Sequence, residues 1–179
     1  MKFLLAVPLA LFFASCSTQS CWKGGEPMRE TETRSQWGAE IDIKQSANNV
    51  KIYRGLAHPT GDKSTYERQV KKGGWVEFEG FKFHAEPIER PSGTAEKVLD
   101  LYCLSASHEA QAIKTTCEGF HPDYALVWSK GGRQRVLQIC YGCHEWKYFG
   151  PGGNVHTDIE DKTYFKKLLP LLPRERNRL

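Results

Sequence analysis

Apolar and polar positions along this chain recur at two periods that alternate from about residue 49 onward. Residues 49–56 run with period two, Val50 and Ile52 on one face and Lys51 and Tyr53 on the other, which predicts a strand. Gly55, His58-Pro59 and Gly61 break it, and Asp62 is placed to cap a helix through Tyr66 and Val70 that stops at Gly73-Gly74. Residues 75–78 and 81–85 predict a strand pair turned at Glu79-Gly80 and ended by Pro87 and Pro91. Ser92 then opens a helix with Ala95, Val98, Leu99 and Tyr102 at helical spacing.

The strongest hairpin signal follows, residues 124–129 and 133–141 joined by Lys130-Gly131-Gly132. Residues 145–149 are expected to continue in extended form until Gly150-Pro151-Gly152-Gly153. Thr157 or Asp158 then caps a last helix, with Phe165, Leu168 and Leu169 facing inward and an end near Pro170 or Pro173. Locally paired strands with helices between and after them predict an α+β fold: a single domain, a largely antiparallel sheet and two to three helices.

The first residues follow neither period. Lys2, an apolar run from Phe3 to Phe13 interrupted by Pro8, and the small Ala14 and Ser15 predict a signal peptide over residues 1–15. Such a segment is too short to span a bilayer as a finished helix. Phe13-Ala14-Ser15-Cys16 resembles the lipobox of bacterial lipoproteins, with Phe13 where leucine or valine is usual. That resemblance makes Cys16 the expected lipid attachment site, with ordinary signal cleavage around Ser17 as the alternative. The protein is then exported to the cell envelope and held at a membrane surface, on the periplasmic or outer side. Residues 16–38, rich in Ser, Thr, Gln, Gly and alternating charge, are expected to be a tether, with Trp22 and Trp37 as exceptions. Residues 39–179 form the domain.

Composition narrows the partners. Charged residues are 26% of the chain and aromatics 12%, as in an ordinary folded domain, and the formal net charge is only +4. That excess gives no footprint for a nucleic acid, and Arg174, Arg176 and Arg178 at the end read as a solvated terminus. The membrane, through its lipid anchor, is the expected partner. No G-x-S-x-G, H-E-x-x-H, phosphate-loop or dinucleotide fingerprint is present, and no acid–base pair stands out, so nothing identifies an enzyme. His58 and His84 read as structural or solvated rings.

Candidate chemistry concentrates in Cys140-Tyr141-Gly142-Cys143-His144. Export puts the cysteines in an oxidising compartment, where disulfides persist, and the leading expectation is a structural disulfide with no cofactor. If residues 136–149 were one strand, the Cα atoms of Cys140 and Cys143 would lie about 10 Å apart. A disulfide needs less than about 7 Å, so they pair only if Gly142 bends the chain; otherwise Cys117 and Cys103 are the partners. Two other readings stand beside it. C-x-x-C-H is the spacing for covalent attachment of haem c, with Cys140 and Cys143 as thioethers and His144 on the iron. Cys117-x3-His121 with Cys140-x2-Cys143 has the ligand types and spacing of a structural zinc site. A thiol–disulfide exchange role is weaker, because a strand offers no helix dipole to activate the first thiol.

Three stretches carry a wider resemblance: residues 53–59 (YRGLAHP), 119–125 (GFHPDYA) and 138–143 (QICYGC). They resemble a group of uncharacterised exported bacterial proteins, many of them lipoproteins, with G-L-x-H-P and I-C-x-x-C elements. The resemblance covers most of residues 50–170 and brings no activity. It implies that Cys117, Cys140 and Cys143 are the shared cysteines and that C-x-x-C commonly lacks a following histidine.

Overall fold

A computed structural model describes residue 28, residues 30–112 and residues 119–174 of the chain. The expected signal peptide, the lipid site Cys16 and the cysteine Cys117 lie outside the described residues.

The fold is the expected single α+β domain, built on an antiparallel sheet of six strands. These are β1 (Lys51–Arg54), β4 (His108–Glu109), β5 (Tyr124–Lys130), β6 (Arg133–Cys140), β7 (Glu145–Phe149) and β8 (Val155–Ile159), in the order β1-β5-β6-β7-β8-β4. A separate hairpin pairs β2 (Trp75–Phe78) with β3 (Phe81–His84). The β5–β6 hairpin turns at Gly131 (φ +59°) and Gly132 (φ +74°), where side chains with a Cβ are disfavoured.

Both sheet faces are covered, which explains the nearly unbroken burial of β5. Tyr124, Leu126 and Trp128 face a core completed by helices α1 (Glu30–Ser46), α3 (Thr94–Tyr102) and α4 (residues 161–171), with Val98, Leu137, Ile139, Trp146 and Leu168 fully buried. Ala125 and Val127 face the other way, against Phe83 of the β2–β3 hairpin. Helix α2 (Lys63–Lys72) buries no residue fully. Asp62 caps it as expected, its Oδ1 accepting the Thr65 amide at 3.3 Å.

Among the described residues the helices number four rather than two or three, because residues 30–38 of the expected tether form the first half of α1. Only Ala39 and Ile43 give α1 a buried apolar face, too sparse for a 3.6-residue pattern to show. Polar anchors hold it instead. Arg135 grips Asp42 through two nitrogens at 2.9 and 3.0 Å, and Tyr148 donates to the same carboxylate. Trp128 Nε1 donates to Ser46 Oγ at 2.9 Å. The helix also comes so close to the loop after β7 that a Cβ on Gly38 would stand 2.7 Å from the Gly152 carbonyl oxygen.

The C-terminal expectation needs correction. Thr157 and Asp158 lie within β8, and the cap of α4 is Glu160, whose carboxylate accepts the Thr163 amide at 2.7 Å. A π-helical turn over Tyr164–Leu168, closed by Leu169 N–H on Tyr164 O, rotates the following residues. It brings Tyr164 and Leu168 inward and leaves Phe165 56% exposed.

Candidate functional site at the cysteine turn

The segment around Ile139 is pleated, but residues 136–149 are not one strand. β6 ends at Cys140, the chain reverses, and β7 returns alongside it with Cys140 opposite Glu145 and Ile139 opposite Trp146. The four-residue turn is Tyr141-Gly142-Cys143-His144. The residue that takes the left-handed conformation is His144 (φ +53°) rather than Gly142. A side chain with a Cβ is uncommon there. This one is held by its ring stacked on Tyr164 at 3.9 Å and 21°, and by Nδ1 lying 3.5 Å from an Asp161 carboxylate oxygen.

Reversal places the two cysteines differently. Cys140, 2% exposed, is a free thiol, and its Sγ accepts the backbone N–H of Cys143 at 3.4 Å. The N–H groups of His121 and Gly142 also reach it. Burial pushes this thiol up from its ordinary pKa, while the three N–H groups pull in the opposite sense. Cys143 is disulfide-bonded, and its Sγ lies 3.5 Å from the Gly119 carbonyl oxygen. Cys103 is the other free thiol among the described residues. It closes α3 on the helix-covered face, and burial pushes it up to about 12. Ile139 faces that same core, so the alternation of β6 sets Cys140 on the opposite face, and Cys103 cannot be its partner.

Residues 53–59, 119–125 and 138–143 meet at this turn. Asp123 is the knot: its Oδ2 accepts the Tyr141 amide at 2.7 Å, its carbonyl accepts the Gly55 amide at 2.9 Å, and its own amide donates to Ile139 O at 2.7 Å. His121 Nε2 donates to Leu56 O at 2.9 Å. His58 Nδ1 accepts the amides of Thr60 and Gly61 at 3.2 and 3.0 Å, and the two imidazoles stand 4.8 Å apart. Both rings line a small cavity of about 180 Å³ with Phe81 and Phe120. Backbone groups therefore fix each tautomer. For His58, Nδ1 is committed as an acceptor, which removes it as a metal donor.

No family model matches the chain, and no curated protein or solved structure is significantly similar to it. The site must be read from its own chemistry.

As placed here, the haem set Cys140, Cys143 and His144 offers one buried thiol, one sulfur already in a disulfide and one imidazole stacked on tyrosine. For the zinc set, His121 and Cys140 share a backbone contact. Among the described residues no group of three or more His, Cys, Asp or Glu side chains is close enough to hold a metal ion.

Sequence reasoning missed one buried polar cluster altogether. His108, fully buried, donates from Nε2 to Tyr102 O and accepts at Nδ1 from Trp146 Nε1 (3.1 Å) and the Thr157 hydroxyl (2.7 Å). Desolvation lowers its pKa to about 4, so it stays a neutral ring in the core. No local pattern marks it: it is an isolated histidine in a two-residue strand.

Proposed function

We propose that this chain is an exported, lipid-anchored protein of the cell envelope, whose α+β domain is a non-catalytic module stapled by a disulfide at Cys143. The observation that carries the reading is that disulfide, set beside a buried Cys140 in a turn braced by Asp123 and Tyr164. A structural disulfide belongs to an oxidising compartment. The charged and hydroxylic residues 17–29 then serve as the spacer between Cys16 and α1. The proposed partner of Cys143 is Cys117, two residues before the Gly119 carbonyl that touches its sulfur. The histidines near the turn act as backbone braces: His121 ties residues 119–123 to Leu56, and His58 closes its own turn. The domain's partner is the membrane through the N-terminal lipid, with no nucleic acid and no cofactor.

Fractionation tests this. The wild-type chain expressed with its own leader is expected in the membrane fraction, carrying a mass increment for acyl chains on Cys16. Cys16→Ser is expected in the soluble exported fraction. A Cys16→Ser chain that stays with membranes refutes the anchor.

A further inference from the structure

The geometry points to a binding site for a small aromatic acid, one planar ring carrying a carboxylate, in the cavity between His58 and Phe120. Four separate segments build it. The turn after β1 supplies His58, α2 supplies Tyr66, the β2–β3 hairpin supplies Phe81 and Lys82, and the segment leading into β5 supplies Phe120 and His121. All of these but Lys82 are rings, and together they surround about 180 Å³. An enclosed apolar space of about 150 Å³ holds a benzene molecule, so the volume matches one ring with a small substituent. Pro59, Thr60 and Gly80 are exposed at the rim, which opens the cavity to solvent.

The walls are set before anything binds. His58 Nδ1 accepts the Thr60 and Gly61 amides at 3.2 and 3.0 Å, and His121 Nε2 donates to Leu56 O at 2.9 Å. Phe81 meets Phe120 edge-on at 5.6 Å and 70°, and His121 at 6.1 Å and 72°. Lys147 Nζ sits over the Phe120 ring, 4.1 Å from its centroid. Rings already held edge to face offer π surface to an inserted ring without a rotamer having to be frozen on binding.

Charge selects the substituent. Among the described residues no carboxylate lines the cavity, while the Lys82 side chain does. The Lys82 ammonium lies 3.3 Å from Glu77 and 4.8 Å over the Trp75 ring. Glu77 is 51% exposed, and an ion pair that open to water is worth little, so a ligand carboxylate can compete for the ammonium. Helix α2, which carries Tyr66, adds to the same sign, with Lys63, Arg68, Lys71 and Lys72 against Glu67. A cage of rings alone would suit an ammonium ion; beside Lys82 such a cation meets a like charge and no counter-charge.

Benzoate, benzyl alcohol and benzylamine test this, since they share a ring and differ in charge. Each is titrated into the isotope-labelled, purified full chain at about pH 7.5, and amide shifts are followed by NMR. Benzoate is expected to bind with a dissociation constant of about 1 mM or tighter, its shifts concentrated in residues 58–61, 80–82 and 120–121. Benzyl alcohol should bind at the same amides about fivefold more weakly, and benzylamine more weakly again. Lys82→Met is expected to bring benzoate down to the level of benzyl alcohol. Tyr66→Ala, on a helix that buries no residue fully, should weaken both about threefold with the circular dichroism unchanged. Benzoate that leaves those amides unmoved at about 20 mM, or moves a different set, overturns the site. Benzylamine binding as tightly as benzoate, or benzoate indifferent to Lys82→Met, overturns the acid as its ligand.

Discussion

His108 makes stability depend on pH between its unfolded and folded pKa values. Its ring is fully buried, touched by Tyr102, Trp146, Thr157 and the Gln36 amide, and no charged group is among these neighbours. In the unfolded chain the imidazole titrates near 6.5, and in the fold near 4. The folded state thus binds fewer protons between those values, and protonation favours unfolding. Stability from this group is fully present above about pH 6.5 and is lost as the pH falls toward 4. The shift corresponds to about 3 kcal/mol in total, at a slope approaching 1.4 kcal/mol per pH unit in mid-window. Asp42 and Glu160, whose carboxyls are held below their ordinary values, contribute stability that is lost only at lower pH, as acid protonates them. Urea unfolding at pH 7.5, 6.5, 5.5 and 4.5 measures the slope. His108→Gln, which cannot take up the proton, is expected to be less stable at neutral pH but nearly flat across this range. An NMR titration of the wild-type histidines gives a second reading that needs no variant. An unchanged slope in His108→Gln, or a His108 that titrates near 6.5 in the folded protein, refutes the reasoning.

Three further outcomes follow from the packing. Asp42→Asn leaves the Arg135 guanidinium, 5% exposed, without its counter-charge and should lower stability by about 3 kcal/mol by urea unfolding. Gly152→Ala places a Cβ 2.5 Å from the Gly38 carbonyl oxygen, so α1 must shift, lowering stability by about 2 kcal/mol and the thermal midpoint by several degrees. Cys103, with its thiol pushed up to about 12 and 8% of it exposed, should resist iodoacetamide at about pH 8 in the folded protein and react once unfolded.

Apart from the two-residue β4, the strands and helices between residues 50 and 141 were legible because each is marked by an interruption as well as a period. Asp62 and Gly73 bracket α2, Glu79-Gly80 turns the small hairpin, and Gly131-Gly132 turns the large one. Legibility failed where polar contacts replace apolar ones. Helix α1 docks through Asp42, Ser46 and close backbone approach at Gly38, none of which produces a hydrophobic stripe. It failed again where a histidine does the work of a glycine. The reversal after Cys140 depends on His144 in a left-handed conformation, so residues 136–149 looked continuous. The π-helical turn misplaced Phe165 for a related reason, since its wider turn breaks the 3.6-residue phase that predicted an inward ring. At the candidate site, the sequence named the cysteines and His121 but not Asp123, the residue that ties the three stretches together.

The central proposal is that Cys143 is held in a structural disulfide while Cys140 beside it stays a free, buried thiol and the turn carries no prosthetic group. Intact mass under non-reducing, non-acidic conditions, followed by peptide mapping of freshly purified protein, tests it most directly. The account predicts a mass lowered by two hydrogens for each disulfide, Cys143 in a cross-linked peptide and Cys140 in an unlinked one. A chain carrying the added mass of a haem on Cys140 and Cys143, or a zinc ion that leaves on acidification to expose three free thiols, would contradict it.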